Sequence, residues 1–172
     1  FSDILMVPFA LGQKVEFIQG YGPILSNFNL EMFLNNDKIT FSEKLHPVYK
    51  AIEITRKKLD KKKSLISFVG APWTLLIYML GIKNKKNQIN YKKIKSNEFE
   101  INLILDKLNE YLCIHIENQI NAGADVVQIF DSWAGLLSEK DLPNYCYIPN
   151  FKIVEFCKKK SIPIICFPKG LH

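Results

Sequence analysis

The sequence lacks any long uninterrupted apolar run. Lys, Glu or Asp interrupts every stretch of about eighteen residues, which is the length that a membrane-spanning helix needs. Neither GxGxxG nor GxxxxGK(S/T) occurs, so the chain has no Gly-rich nucleotide-binding turn. With 48% hydrophobic residues over 172 positions, the composition predicts one soluble domain with a core of its own and no membrane partner.

Cysteine is sparse and widely spaced. The four cysteines form no CxxC pair, and no His lies at the spacing of a zinc ligand. They are Cys113, Cys146, Cys157 and Cys166. The pattern indicates neither a disulfide framework nor a metal site. Buried free thiols fit a reducing compartment, so we expect a cytoplasmic protein without a metal.

Basic residues exceed acidic ones, and the formal net charge is +6. They form runs at residues 56–58, 61–63 and 158–160, near the ends of predicted helices, where positive charge favours the helix dipole. No aromatic residues interleave these runs, as they do in many nucleic-acid surfaces. We expect a solvated basic surface and no nucleic-acid partner.

Short segments rich in Ile, Val and Phe predict parallel strands. They lie at residues 64–69, 124–130 and 162–167, and each follows a charged amphipathic stretch, which is typical of alternating helices and strands. A fourth strand is predicted to end at residues 1–3. The sequence therefore indicates an α/β protein with a parallel sheet.

Hydrophobic periodicity predicts helices over residues 47–62, 98–122 and 149–160. Gly123 is expected to end the second of these in a left-handed conformation. Two other segments fit less regular structure. Residues 13–37 carry turn signals and predict a long loop with a small hairpin, whereas residues 84–97 predict an exposed connection or a polar helix.

This alternation fits half of an eight-stranded (β/α)8 TIM barrel or most of a doubly wound sheet. The missing Gly-rich turn favours the barrel, of which the chain would supply roughly four βα units. Because the sequence opens at Phe1 inside an apolar run and ends just past a strand-like run, we expect residues 1–172 to be a single partial domain of a longer protein.

In a barrel, the chemistry lies at the carboxyl ends of the strands. The polar residues there are Asp3, residues 70–78, Asp131, Ser132 and Lys169. Asp3 is either a cap of the following turn or a functional carboxylate, and Tyr78 is either a core aromatic, as composition favours, or a hydroxyl aimed into a cavity. Ser132 could be a nucleophile, a cap or a hydrogen-bond donor. The sequence places no His where it could act as a general base for Ser132. His115 is predicted to be a core or surface residue of a helix.

Three motifs carry a specific resemblance. They are Ser2-Asp3-Ile4-Leu5 through residues 8–12, Phe68-Val69-Gly70-Ala71-Pro72-Trp73-Thr74-Leu75 with Tyr78, and Gln128-Ile129-Phe130-Asp131-Ser132-Trp133-Ala134-Gly135. In order and approximate spacing, they resemble the uroporphyrinogen decarboxylase family. The resemblance implies a cofactor-free, cytosolic, homodimeric (β/α)8 barrel. It also implies a carboxy-lyase of haem synthesis. Such an enzyme removes carbon dioxide from the four acetate side chains of uroporphyrinogen III, which gives coproporphyrinogen III.

The resemblance also implies roles for individual residues. Asp3 would face the centre of the tetrapyrrole, accept hydrogen bonds from the pyrrole N–H groups and stabilise the cation formed when a pyrrole is protonated. Tyr78 and Ser132 would hold a substrate carboxylate. The apolar cleft would be lined by Phe68, Phe130, Ile4 and Leu5.

Two other functions compete with this one. A zinc-dependent corrinoid or thiol methyltransferase shares the barrel, but its His-x-Cys motif does not occur near residues 164–169. A non-catalytic tetrapyrrole-binding barrel is the second alternative, and the joint presence of Asp3, Tyr78 and Ser132 argues against it. The family's Arg-rich segment, expected before Asp3, and its Gly-His-Gly segment, expected after residue 172, are absent from this sequence.

We therefore predict that residues 1–172 expressed alone are poorly folded and inactive, because neighbouring strands and carboxylate-binding groups would be missing. The test is a thermal melt combined with an assay for carbon dioxide released from uroporphyrinogen. A cooperative transition together with measurable release would contradict this expectation.

Overall fold

The computed structural model describes residues 3–19, 22–82 and 88–171. Two strands, β1 (Val15–Ile18) and β2 (Gly22–Leu25), form an antiparallel hairpin. Three further strands form a parallel sheet in the order β3-β4-β5. Their bounds are β3 (Ile66–Gly70), β4 (Val126–Asp131) and β5 (Ile164–Pro168).

Helices connect and cover these strands. They are α1 (Met6–Ala10), α2 (Leu30–Leu34), α3 (Lys38–Lys58), α4 (Pro72–Leu80), α5 (Tyr91–Lys95), α6 (Glu98–Asn121) and α7 (Ile148–Lys159). A 3-10 turn (Ala134–Leu136) and a π-helical turn (Pro143–Tyr147) lie between β4 and α7. Within the described part of the chain, no helix combines the length and apolarity needed to cross a bilayer.

The three predicted parallel strands are confirmed, each shifted by one or two residues toward the carboxyl end. The helix predicted over 98–122 is confirmed as α6, and Gly123 follows it with φ of 110°. The helix predicted over 149–160 is α7. Periodicity located these elements because their apolar positions face one continuous core.

The predicted start of the helix at residue 47 is wrong. The helix is α3, which begins at Lys38, and Pro47 lies in its interior. Asp37 caps it, since its Oδ1 accepts hydrogen bonds from the backbone N–H groups of Ile39 at 3.0 Å and Thr40 at 2.8 Å. A proline favours the first turn of a helix, which is why the sequence pointed to residue 47, but the Asp37 cap sets the observed start.

The less regular segments also differ in detail. Residues 13–37 contain the predicted hairpin and, in addition, α2. Residues 83–87 lie outside the described residues, and 91–95 form the short helix α5, which Asn90 caps through Lys93 N–H at 3.3 Å. Of the predicted strand at residues 1–3, residues 1 and 2 lie outside the described range, and Asp3 is not in a strand.

The two faces of the parallel sheet have different environments. Alternate residues of β3 and β4 are buried under helices α4, α6 and α7, with Val69, Val127 and Ile129 in this layer. Residues of the opposite face, Phe68 and Phe130 among them, are only half-buried. The helix-covered face of the sheet therefore holds the core, and the open face is available to a further layer or a ligand.

A buried histidine ties the two long helices to the sheet. His115 of α6 lies with Nδ1 3.0 Å from the Tyr49 hydroxyl of α3, and Gln119 Nε2 lies 2.8 Å from His115 Nε2. Gln119 Nε2 also donates to the Phe68 carbonyl oxygen of β3 at 3.1 Å. This confirms His115 as a core residue. In this arrangement Nε2 accepts, so the imidazole is neutral with its proton on Nδ1.

Burial lowers the pKa of His115 to about 3. An unfolded histidine takes up its proton near pH 6.5, so between pH 6.5 and 3 only the unfolded state gains the charge and stability falls with pH. In the complete protein we expect about 2 kcal/mol of unfolding free energy to be lost through this residue between pH 7 and pH 5. Urea titrations at the two pH values measure the loss.

The His115→Gln variant should show a loss smaller by that amount, since it retains a hydrogen-bonding side chain without a titrating group. His46→Gln is the matched control, because His46 is exposed on α3. Equal pH dependence in His115→Gln and in the unmodified protein would contradict the expectation.

Candidate functional site

The sheet brings the carboxyl ends of β3 and β4 level with each other. Gly70 pairs with Phe130, and the backbone N–H of Ala71 donates to the Phe130 carbonyl oxygen at 2.9 Å. A Cβ on Gly70 would lie 2.8 Å from Leu75 Cδ2 and 3.1 Å from Ile4 Cβ, so a larger residue here would displace these two side chains from the strand end. Helix α4 starts at once with Pro72, beside the exit of β4.

Asp3 is half-buried near this edge. Its Oδ1 accepts a hydrogen bond from the Leu5 N–H at 2.8 Å, and its carbonyl oxygen accepts one from the Met6 N–H at 3.1 Å. Asp3 therefore caps the turn before α1, which was one of the two roles predicted for it from the sequence. The cap also fixes the direction of the carboxylate, so the two interpretations are compatible.

Tyr78 lies on α4 beside the same edge. Burial raises the pKa of its hydroxyl, a hydrogen bond with the Trp133 side chain lowers it, and the negative charge of Asp3 raises it further. The ring packs against the core, yet it also lines a cavity of about 760 Å³ together with Trp133. Tyr78 is thus a core aromatic whose surface reaches a cavity, which goes beyond the role that composition favoured.

Ser132 is half-buried and follows the last residue of β4, directly before Trp133. The Trp133 ring centre lies 6.1 Å from that of Tyr78. Through this contact the exit of β4 meets α4, and the charge of Asp3 acts on the same tyrosine. The structure therefore brings Asp3, Tyr78 and the Ser132-Trp133 segment to one edge of the sheet.

Aromatic rings form a row across the open face of the sheet. The ring centres of Phe68 and Phe130 lie 5.8 Å apart, and those of Phe130 and Phe167 lie 6.2 Å apart, both pairs edge to face. Phe167 is 48% exposed and was not among the predicted site residues. The period-two alternation of β5 was the signal that could have placed it beside Phe130.

The remaining apolar site residues contribute less surface. Leu5 is 2% exposed and belongs to the core, although it lines a cavity of about 230 Å³ beside Asp3. Ile4 is partly buried and packs against the core. Among the described residues, Asp3 and Tyr78 therefore line two different cavities.

The carboxylate of Asp131 is buried behind the site, and the sequence predicted no specific role for it. Asp131, the last residue of β4, is 1% exposed and accepts hydrogen bonds from Thr74 Oγ1 at 2.8 Å and Asn150 Nδ2 at 3.0 Å. Burial raises its pKa. Its partners lie far away in the sequence, so no local pattern pointed to this network.

A family model described as Uroporphyrinogen decarboxylase (URO-D) matches residues 1–172, the whole chain. The chain belongs to the uroporphyrinogen decarboxylase family. This confirms the resemblance carried by the three motifs.

Curated relatives in this family are similar along the same length. Uroporphyrinogen decarboxylase of Orientia tsutsugamushi (strain Ikeda) is 47% identical over 175 residues, covering 99% of this chain and 50% of the relative. That of Rickettsia bellii (strain RML369-C) is 39% identical, again over 99% of this chain and 51% of the relative. The chain spans about half the length of the curated relatives it matches.

Among solved structures, a methyltransferase from Methanosarcina mazei superposes with a TM-score of 0.72 at 18% sequence identity. The match covers 96% of this chain and 49% of the methyltransferase. At that identity the likeness shows a shared α/β fold and carries no argument about the reaction.

Replacing Asp3 by Asn should lower the pKa of Tyr78 in the complete protein, because the Asp3 charge disfavours the tyrosinate. NMR titration of ¹³C-labelled tyrosine, assigned with a Tyr78→Phe variant, measures the change. Asp60→Asn is a matched control, since Asp60 Oδ1 accepts the Lys62 N–H at 2.9 Å in the same local geometry. An unchanged pKa of Tyr78 in Asp3→Asn would contradict the proximity of the two groups.

Proposed function

We propose that the complete protein is a uroporphyrinogen decarboxylase, a carboxy-lyase (EC 4.1.1.37) acting without a cofactor. It would convert the four acetate side chains of uroporphyrinogen III to methyl groups, which gives coproporphyrinogen III in haem synthesis. The observation that carries the proposal is the meeting of Asp3, Tyr78 and the Ser132-Trp133 segment at one edge of the sheet. Curated relatives named for this activity support it.

The proposed architecture is a (β/α)8 barrel of which residues 1–172 form a single partial domain, about half of the whole. Within residues 3–19, 22–82 and 88–171, three parallel strands in consecutive order are covered by helices on one face only, and this supports the arrangement. The share of the curated relatives that the chain spans supports it as well. In a closed barrel the aromatic row would face the interior.

The reaction needs a place for negative charge beside the pyrrole. Protonation of the pyrrole at carbon makes the ring cationic, the bond to the carboxyl carbon breaks, and its electron pair neutralises the ring as carbon dioxide leaves. A proton then adds to the methylene carbon, and the ring loses its extra proton. An ionised Asp3 accepting the pyrrole N–H bonds would stabilise the cation by several kcal/mol in a water-poor cleft.

The hydroxyl groups suit a binding role. A tyrosine hydroxyl keeps its proton at neutral pH, and burial raises the pKa of Tyr78 above its ordinary value, so this hydroxyl can donate to a substrate carboxylate. Ser132 would donate to the same carboxylate from the exit of β4. Phe68 and Phe130, with Ile4 and a small contribution from Leu5, would supply the apolar surface for the macrocycle.

The substrate is a small tetrapyrrole with eight carboxylates, and the net charge of +6 would favour its approach. Neither nucleic acid nor a membrane is proposed as a partner. By family resemblance we propose a homodimer in the cytoplasm, and the buried free thiols Cys146 and Cys157 fit that reducing compartment.

Replacing Asp3 by Asn in the complete protein should lower kcat by about 100-fold or more, because the charge that stabilises the pyrrole cation is lost. The amide oxygen of the asparagine can still accept the hydrogen bond from the Leu5 N–H, so the melting temperature should change little. Carbon dioxide release and coproporphyrinogen formation measure turnover. Asp60→Asn should turn over normally, and near-normal turnover in Asp3→Asn would remove Asp3 from the mechanism.

A further inference from the structure

Asp131 is a buried ionisable group that the proposed reaction does not use. It ends β4 on the helix-covered side of the sheet and is 1% exposed. Its carboxylate accepts from Thr74 of α4 and Asn150 of α7, and the thiol of Cys146 donates to it as well. All three donors are neutral, and burial raises the pKa of the carboxyl group.

The hydroxyl of Thr74 extends this network to the loop that follows β4. Thr74 is fully buried, and its Oγ1 accepts the backbone N–H of Trp133 at 3.3 Å while donating to Asp131. The neighbouring indole, Trp73 Nε1, donates to the carbonyl oxygen of Trp133 at 3.1 Å. Two consecutive residues in the first turn of α4 therefore hold both backbone polar groups of Trp133.

Ser132 lies between two residues that this network fixes, Asp131 and Trp133. Tyr78 lies one turn beyond Thr74 on the same helix face, and its ring is 6.1 Å from the ring of Trp133. The network thus sets the position of Ser132 relative to Tyr78, although it touches neither hydroxyl group.

We propose that Asp131 and Thr74 are positioning residues that hold Ser132 and Tyr78 at the separation needed to bind one substrate carboxylate. The inference rests on the proposed function, since it assigns the two hydroxyl groups to the same ligand. Neither positioning residue contacts the substrate. Both act through the backbone of residues 132 and 133.

A purely structural role accounts poorly for a carboxylate at this place. Taking a charged carboxylate out of water is unfavourable, and neutral donors repay only part of that loss. An amide of the same size would avoid the charge and keep one acceptor oxygen. The carboxylate differs in accepting at both oxygens, which lets it orient the Thr74 hydroxyl and the Asn150 amide together.

The test is steady-state kinetics of the complete protein on uroporphyrinogen III. Thr74→Val removes the hydroxyl at nearly constant volume, and we expect KM to rise about tenfold while kcat stays within about twofold, because ground-state and transition-state binding weaken equally. Thr74→Ser should restore KM, since it keeps the donor and acceptor. The matched control is Ser67→Ala, which removes a buried hydroxyl at the amino end of β3.

Asp131→Asn is a second variant that keeps the test decisive if Thr74→Val does not fold. It should raise KM in the same way, because its amide oxygen can accept from only one of the two donors, Thr74 and Asn150. An unchanged KM in either folded variant, or equal impairment of Thr74→Ser and Thr74→Val, would overturn the inference. Absence of turnover in the unmodified complete protein would instead overturn the proposed function, and the positioning role with it.

Discussion

The parallel pairing of β3 with β4 is the constraint on which the rest of the structure depends. Its register places Gly70 opposite Phe130, so both strands end at the same level and α4 starts where β4 finishes. The hydrogen bond from Ala71 N–H to the Phe130 carbonyl oxygen extends the pairing past the end of β3. A shift of one residue would turn the aromatic row into the core and separate Thr74 from Asp131.

Two aspartates near this edge occupy contrasting environments. Asp3 is half-buried and caps a turn through one oxygen, whereas Asp131 is enclosed by neutral donors on the covered side of the sheet. One environment suits a charge that faces a ligand, and the other suits a fixed acceptor within the scaffold. Tyr78 connects the two environments. Burial and the charge of Asp3 raise its pKa, and its ring contacts Trp133, whose backbone N–H donates to Thr74.

Much of the fold could be predicted because it depends on local patterns. The apolar runs predicted the strands, and the spacing of apolar residues predicted α6 and α7. The start of α3 was missed because Pro47 is a strong local signal, while the Asp37 cap lies ten residues before it. The Asp131 network was missed for another reason, since its partners come from α4 and α7 and only the tertiary fold brings them together. Asp3 was recognised by family resemblance. Only the folded structure shows that its carboxylate caps the turn through the Leu5 N–H.

The most direct test of the central claim is a structure of the complete protein with coproporphyrinogen bound. We expect pyrrole N–H groups within about 2.7–3.2 Å of the Asp3 carboxylate and a substrate carboxylate at the hydroxyl groups of Tyr78 and Ser132. The macrocycle would lie against Phe68 and Phe130. A bound tetrapyrrole that leaves Asp3 facing solvent, or that lies away from the open face of the sheet, would contradict it.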